Sequence, residues 1–280
     1  MRKIHVNEII ATLSQLCIDA NIEIRPDTVE AYRRALDREE SETGRGVLQQ
    51  LILNAEVAKE QRIPFCQDTG YAVVFVELGQ NVNITGGSFV EALNEGVRQG
   101  YQQGFLRKSI VRNALERINT GDNTPAVVIT EIVPGDRLKL RLLIKGAGCD
   151  NVSALRMFTP AEGLAAAKDF IVEVADKAGP NASPPFVLGV GMGGPFAQAA
   201  LLAQKALLWP LGKPNPNGSL AAIETELLER INSLGIGPAG FGGSVTTLGV
   251  HIEACAVHIA SFPVAVNIDC HSHRGKEVVM

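Results

Sequence analysis

The sequence has few of the features that mark several large classes of protein. Its 26 basic and 30 acidic side chains leave a formal net charge of only −4. Nothing in this charge favours nucleic acid or an anionic membrane surface as a partner. The 280 residues contain no internal repeat, low-complexity tract or recognisable linker, and 46% of them are hydrophobic. We therefore expect one continuous domain with a sizeable core.

Cysteine is also scarce, and we expect the chain to have no signal peptide. The five cysteines are odd in number and lie far apart. This pattern argues against a disulfide framework and predicts a reducing, cytoplasmic location. In that setting a cysteine is a core residue, a ligand or a nucleophile. The cysteines are Cys17, Cys66, Cys149, Cys255 and Cys270.

One stretch without charge, Phe186 to Gln204, is nineteen residues long, about the length of a membrane span. Its glycines instead predict a short strand, a loop and a helix that begins at Pro195. The run GVGMGG within it satisfies the dinucleotide-binding pattern. However, no acidic residue occurs between Asp176 and Glu224 to bind a ribose. A closely packed turn and a backbone donor loop near an anionic substrate are the alternatives.

The periodicity of the apolar residues predicts an α+β fold. A helical N-terminal lead, residues 1–60, is followed by mixed sheets packed against helices in residues 61–280. The lead contains a helix from Val6 to Ala20 that places Cys17 in the core. Strands are expected at 71–78, 125–133, 138–144, 186–190, 245–252 and 263–268. A later helix is expected to begin with Ser219 as its N-cap.

The heptapeptide PFCQDTG, residues 64–70, is the first candidate for chemistry. A buried core would accept Cys66 as a small hydrophobic residue but would not favour unpaired Gln67, Asp68 and Thr69 beside it. A polar turn is the alternative reading. This segment is therefore the first place to look for a functional site.

Two further polar groups lie near the C-terminus. Cys270, His271 and His273 could bind zinc, although they would not converge without a turn, and polar residues at a strand end are the alternative. His258 lies in the apolar run AVHIAS, where an imidazole is either a satisfied core group or a functional one.

Eight stretches in this order resemble the fumarase and tartrate dehydratase family, and most closely the alpha subunit of a two-subunit, iron–sulfur (class I) fumarate hydratase. They span about Ile63 to Arg274. The stretches are PFCQDTG, GFLRKS, NTGDNTPA, SPPFVLGVGMGG, LLAQKALL, INSLGIGPAGFGG, GVHIEACAVHIAS and PVAVNIDCHSHR. The resemblance implies a hydro-lyase that interconverts fumarate and L-malate, while L-tartrate or a methylated dicarboxylate remains an alternative substrate.

The resemblance also implies a [4Fe–4S] cluster held by three thiolates, with one iron open to substrate. Cys66 and Cys270 match two of the ligand positions, but Ser183 stands where the family has the third cysteine. Serine is a poorer iron ligand than cysteine. Serine could ligate iron here, could replace a cysteine by design, or could leave the cluster weak or absent. Cys149 is a conceivable substitute ligand, although the corresponding glycine turn in the family borders substrate.

The resemblance assigns the remaining site residues to substrate. Arg107 matches a carboxylate-binding arginine, Gln67 is expected to donate to substrate, and Gly148 lies in the glycine turn that borders substrate. Asp68 and His258 match catalytic positions, and the sequence does not decide which of them carries the proton. Without the motif, Arg107 would be read as an ordinary surface arginine.

The chain is expected to act together with a partner subunit. The chain ends six residues after Arg274, whereas single-chain members of the family continue into a smaller second domain. We therefore expect a separate beta subunit and an α2β2 assembly. The alternative from another class is a cluster-free, non-catalytic subunit that binds dicarboxylates or serves assembly.

Overall fold

A computed structural model describes residues 2–280 and shows an α+β fold, as the sequence predicts. The helices in chain order are α1 (Val6–Ile22), α2 (Pro26–Arg38), α3 (Glu42–Gln61), α4 (Phe89–Gln103), α5 (Ala147–Asp150), α6 (Gly163–Ala178), α7 (Phe196–Ala206) and α8 (Gly218–Asn232). The strands are β1 (Arg2–His5), β2 (Tyr71–Gly79), β3 (Val82–Thr85), β4 (Val127–Val133), β5 (Leu138–Lys145), β6 (Ala154–Phe158), β7 (Phe186–Met192), β8 (Thr247–Ala254), β9 (Phe262–Asp269) and β10 (Arg274–Val279).

The chain divides into two compact units, each with its own sheet. Unit 1 contains the residues up to Arg25 together with Ala55–Gly146 and Arg274–Met280. Unit 2 contains Pro26–Asn54 and Ala147–His273. The expectation of a single catalytic domain over residues 1–280 stays a prediction.

Unit 1 is built on a four-stranded mixed sheet in the order β10-β5-β2-β4. Strand β5 is antiparallel to both β10 and β2, whereas β2 and β4 are parallel. Strands β1 and β3 form a separate parallel pair. The C-terminal strand β10 therefore enters the sheet beside a strand that lies far earlier in the sequence.

Helices α1 and α4 supply the apolar layer over this sheet. The buried side chains of α1 recur at the spacing of one helical face, and Leu13 and Cys17 lie among them. The two helices approach closely, because a Cβ atom on Gly100 would lie 2.7 Å from the Ser14 carbonyl oxygen. The core of unit 1 thus explains why the N-terminal helix carries its apolar residues in this pattern.

Unit 2 has a four-stranded sheet in the order β6-β9-β7-β8, with only β7 and β8 parallel. Apolar residues of α6 and α8 pack with residues of β7, β8 and β9 in one buried cluster. Helix α7 packs against β7 so closely that a Cβ atom on Gly189 or Gly191 would lie 2.0 Å from a carbonyl oxygen of that helix. Close packing therefore accounts for these two glycines of the GVGMGG run.

Three local predictions differ from the structure. Helix α8 is capped by Asn217 and not by Ser219, because the Asn217 side chain accepts hydrogen bonds from the Ser219 and Leu220 amides. Cys255 matches no ligand position of the family and was predicted to lie in the core, but it is exposed, because β8 ends at Ala254. The strands β1, β3, β6 and β10 have no counterpart in the prediction. No helix within residues 2–280 is long and apolar enough to cross a membrane.

Candidate functional site

In unit 1, residues Cys66–Gly70 form a tight turn between α3 and β2, here named the Asp68 turn. The Asp68 Oδ1 atom accepts a hydrogen bond from the Gly70 amide at 2.9 Å, which closes the turn. Gly70 has a φ of +61°, and a Cβ atom there would lie 2.6 Å from the Lys145 carbonyl oxygen. Only glycine fits this position without strain.

Buried side chains from distant parts of unit 1 hold the main chain of the Asp68 turn. Each donates a hydrogen bond to a carbonyl oxygen of the turn. The bonds run from Arg274 Nη1 to Asp68 O (2.6 Å), from Tyr101 Oη to Thr69 O (2.5 Å) and from Asn123 Nδ2 to Gly70 O (3.1 Å). Because the main chain is anchored in this way, the side chains of Gln67 and Asp68 are not needed to hold the turn to the sheet.

The structure brings the segment of Arg107 to this turn. Thr69 Oγ1 donates a hydrogen bond to the Arg107 carbonyl oxygen at 2.9 Å. The amide oxygen of Asn123 accepts from the Ser109 amide at 2.6 Å. The Arg107 side chain is exposed and makes no ion pair with any residue from 2 to 280. An exposed guanidinium without an ion-pair partner in this part of the chain is suited to bind an anionic substrate.

In unit 2, two thiols and a carboxylate converge at the end of β9. The Sγ atoms of Cys149 and Cys270 and a carboxylate oxygen of Asp269 all lie within 4.8 Å of one another. Cys149 and Asp269 are buried, and Cys270 is half-buried. Thiolates are the ligands of iron–sulfur clusters and of other thiophilic metals, so this donor set fits the iron that the resemblance implies.

Asp269 is the centre of this group and was not among the predicted site residues. Its carboxylate accepts hydrogen bonds from His273 Nδ1 at 2.9 Å and from the Cys149 thiol at 3.8 Å. His273 is itself 1% exposed. The signal in the sequence was a carboxylate that directly precedes Cys270 at the end of an apolar strand. A carboxylate that is buried at such a place requires a hydrogen-bond or ion-pair partner.

Ser183 lies next to the segment that follows Cys270. It has a left-handed conformation with φ 52° and ψ 67° after the short 3₁₀ helix Gly179–Ala182. Its carbonyl oxygen accepts a hydrogen bond from the His271 amide at 3.2 Å. The main chain therefore holds Ser183 close to His271, the residue that follows Cys270, but Ser183 is an exposed residue and offers a hydroxyl where the family offers a thiol.

The structure places Gly148 and His258 at exposed positions of unit 2. Gly148 lies on α5 directly before Cys149, with open space where a Cβ atom would be. His258 belongs to the loop after β8, where its Nδ1 accepts a hydrogen bond from the Ala260 amide at 3.2 Å. It lines an apolar pocket of about 600 Å³ with Phe196 and Val257. Within residues 2–280 it makes no hydrogen bond to Cys270 or Ser183, and it is not a core group.

The two remaining cysteines lie outside these groups. Cys17 is fully buried in unit 1, and burial raises the pKa of its thiol to about 12. A thiol with so high a pKa is inert at neutral pH. Cys255 is exposed at the start of the loop that contains His258. No disulfide joins any cysteines in the part of the chain that the structure describes.

Comparison with known proteins agrees with the resemblance. The sequence model of the family "Fumarate hydratase (Fumerase)" matches residues 10–279. A protein of Methanocaldococcus jannaschii named "Putative L(+)-tartrate dehydratase subunit alpha" is 37% identical over 265 residues, which cover 93% of each chain. The L(+)-tartrate dehydratase subunit alpha of Escherichia coli O157:H7 is 32% identical over 276 residues, 96% of this chain and 89% of that protein. The chain therefore belongs to the fumarate hydratase (fumerase) family.

Proposed function

We propose that the chain is the alpha subunit of a hydro-lyase that interconverts fumarate and L-malate at an iron–sulfur cluster, together with a separate beta subunit. The observation that carries this proposal is the hydrogen bond from Thr69 Oγ1 to the Arg107 carbonyl oxygen, which holds the main chain of Arg107 next to the turn of Gln67 and Asp68. Membership of the fumarate hydratase family supports the reaction class.

The residues of unit 1 are proposed to bind the substrate and move its proton. Both substrates are dianions, and the planar guanidinium of Arg107 can bind one carboxylate through two hydrogen bonds. Gln67 donates a further hydrogen bond. The Asp68 Oδ1 atom is occupied by the Gly70 amide, whereas Oδ2 has no hydrogen-bond partner within residues 2–280. Asp68 Oδ2 is therefore the atom that we propose takes or returns the proton.

The ligands of the cluster are proposed from the family pattern. Cys66 and Cys270 are the proposed thiolate ligands, and Ser183 stands at the position of the family's third ligand. When bound, the cluster would supply a Lewis-acidic iron for the substrate hydroxyl. Gly148 is proposed to border the substrate. His258 is proposed to orient or relay the proton from its exposed loop.

A second candidate function is the dehydration of L(+)-tartrate. The relatives described above are named as L(+)-tartrate dehydratase alpha subunits, and the chain covers nearly all of their length. Tartrate carries one hydroxyl more than malate, so the choice depends on whether the pocket offers that hydroxyl a hydrogen-bond partner. The same names support a beta subunit as the partner, and we propose an α2β2 assembly.

The test is an anaerobic assay of the chain with its beta subunit on fumarate, L-malate, L(+)-tartrate and a methylated dicarboxylate. We expect turnover of at least one of them, and the ratio of kcat/KM values identifies the substrate. Little turnover is expected from the chain alone. No turnover of any dicarboxylate by a complex that holds its cluster would refute the proposed function.

Replacement of Asp68 tests the residue assignment within the same assay. Asp68→Asn keeps the size of the side chain but removes the titrating group, so turnover should fall by about 10²- to 10⁴-fold while iron content is unchanged. Asp136→Asn is the matched control, because Asp136 is an exposed acid of unit 1 in the connection between β4 and β5. Full activity of Asp68→Asn would show that another residue carries the proton.

A further inference from the structure

The mismatch at Ser183 raises the question of which residue of unit 2 binds iron beside Cys270. The main chain of Ser183 is held by the hydrogen bond that its carbonyl oxygen accepts from the His271 amide. Its hydroxyl, however, is far less acidic than a thiol and is a weak ligand of iron at neutral pH. A site with three strong ligands therefore needs a thiolate from elsewhere.

Cys149 is placed to provide that thiolate. Its Sγ atom lies within 4.8 Å of the Cys270 Sγ atom, with a carboxylate oxygen of Asp269 inside the same distance. The usual metal–sulfur distance is about 2.3 Å, so two thiolates on one metal ion lie at most about 4.6 Å apart, and these two Sγ atoms lie at about that separation or closer. No other pair of cysteines within residues 2–280 belongs to a group of metal-ligating side chains of this kind.

The position of Cys149 is built into the fold of unit 2. Helix α5, which carries Cys149, is tied to β9 by a hydrogen bond from Asn267 Nδ2 to Asp150 Oδ1 at 2.9 Å. A second bond links the Ile268 amide to Ser153 Oγ at 3.0 Å. These bonds hold the short helix against the strand that ends at Asp269. The approach of the two thiols therefore depends on several specific contacts and not on one flexible side chain.

We propose that Cys149, and not Ser183, supplies the second thiolate ligand in unit 2, with Cys270 as the first. The inference rests on the proposed function to the extent that the metal is the iron of its cluster. In this chain the ligand would thus have moved from the family position, Ser183 at the end of the 3₁₀ helix, to Cys149 on α5. In the metal-free chain the Asp269 carboxylate accepts hydrogen bonds from the Cys149 thiol and the His273 ring, and the thiol proton leaves when Cys149 binds the metal.

The test measures iron, and not activity, in the full chain reconstituted anaerobically with ferrous iron and sulfide. Cys149→Ser should lose iron to a chelator at least about tenfold faster than the unchanged protein, and Cys270→Ser should do the same. Ser183→Ala should retain iron as the unchanged protein does. Cys255→Ser is the matched control, since it removes an exposed thiol of unit 2 that belongs to no metal-ligating group.

A rescue variant tests the exchange of ligands directly. Ser183→Cys in the Cys149→Ser background should restore iron retention, because it returns a thiol to the family position. Rapid iron loss in Ser183→Ala, combined with normal retention in Cys149→Ser, would overturn the proposal. Equal retention in all of these variants would overturn it as well.

A spectroscopic probe covers the case in which a variant holds too little iron to analyse. Co²⁺ added to the metal-free chain gives sulfur-to-cobalt charge-transfer absorption that grows with the number of bound thiolates. In Cys149→Ser this absorption should decrease by the contribution of one cobalt–thiolate bond. In Ser183→Ala it should stay unchanged. Unchanged absorption in Cys149→Ser would contradict the proposal, and thermal unfolding of the metal-free variants shows whether each is folded.

Iron retention tests the ligand assignment, whereas turnover of dicarboxylates tests the proposed function, so the two claims can fail separately. If the complex turns over a dicarboxylate but Cys149→Ser keeps its iron, the function stands and the ligand assignment fails. If Cys149→Ser loses iron but no dicarboxylate is turned over, the ligand assignment stands and the function fails.

Discussion

The Asp68 turn of unit 1 and residues Ser244–Thr247 of unit 2, here named the Ser244 loop, are held by opposite kinds of hydrogen bond. In the Asp68 turn, side chains donate to main-chain carbonyl oxygens. In the Ser244 loop, side chains accept from main-chain amides. Glu39 accepts from Ser244 (2.9 Å) and Val245 (2.8 Å), and Asn232 accepts from Thr246 (2.8 Å) and Thr247 (2.9 Å).

The stability of the two segments should respond differently to pH, because the Ser244 loop is held by a carboxylate and the Asp68 turn by side-chain donors. Burial raises the pKa of the Tyr101 phenol, so this donor of the Asp68 turn keeps its proton throughout the physiological range, and the Asn123 amide does not titrate. The Glu39 carboxylate does titrate. Burial opposes its ionisation, but hydrogen bonds from the Ser41, Ser244 and Val245 amides outweigh burial and lower its pKa. The turn that carries the proposed catalytic carboxylate is thus anchored to the rest of unit 1 by side-chain donors and not by a carboxylate acceptor.

Arg274→Met should have the largest effect on stability. It removes a guanidinium that is 2% exposed and leaves the Asn21 side-chain oxygen and the Asp68 carbonyl oxygen without their donor. The free energy of unfolding should fall by about 3–5 kcal/mol, because each lost bond involves a charged donor and a buried acceptor. Denaturant unfolding should give the same loss from about pH 5 to pH 8.

The control for this variant is Arg117→Met, which changes an exposed arginine of unit 1. A surface change of this kind is expected to alter the free energy of unfolding by less than about 0.5 kcal/mol. If both variants lost the same stability, the anchoring role of Arg274 would be wrong.

Glu39→Gln should have a smaller effect that depends on pH. Glutamine keeps one acceptor but turns an amino group toward a main-chain amide, so the loss near neutral pH should be about 1–3 kcal/mol. Because the pKa of Glu39 is lowered on folding, its stabilisation is present above the unfolded value of about 4.3 and disappears as the pH falls through the folded value. The two proteins should therefore converge in stability as the pH falls below the folded value.

Urea unfolding between about pH 3 and pH 7 measures this difference. Glu40→Gln is the matched control, since Glu40 is the exposed neighbouring residue. A loss for Glu39→Gln that stayed constant over the whole range would contradict the assignment of the effect to the carboxylate charge.

The two segments also show what the sequence alone could reveal. PFCQDTG could be recognised because its polar residues stand beside each other and next to an apolar strand. Its supports could not be recognised, because Tyr101, Asn123 and Arg274 lie 32 to 206 residues from the carbonyl groups that they bind. Such contacts follow from the tertiary fold and leave no local pattern.

The fold shows the same limit. Helices α1 and α4 could be predicted from a full apolar face, whereas β10 could not. Strand β10 is a short strand whose register is set by β5, more than a hundred residues earlier. In the site, Cys149 could be considered from the sequence only as a possible substitute, since its approach to Cys270 depends on the pairing of α5 with β9.

The smallest effect is expected for Tyr101→Phe, which deletes only the hydroxyl that donates to Thr69. The free energy of unfolding should fall by about 1–2 kcal/mol, since one buried carbonyl oxygen loses its strongest bond. A double-mutant cycle with Arg274→Lys should show a coupling energy of about 0.5 kcal/mol or more, because both side chains hold consecutive carbonyl groups of one turn. The same cycle with Arg117→Met should be additive, since Tyr101 and Arg117 share no partner. Additive behaviour in both cycles would mean that the Asp68 turn is held by independent contacts and not by one cooperative set of donors.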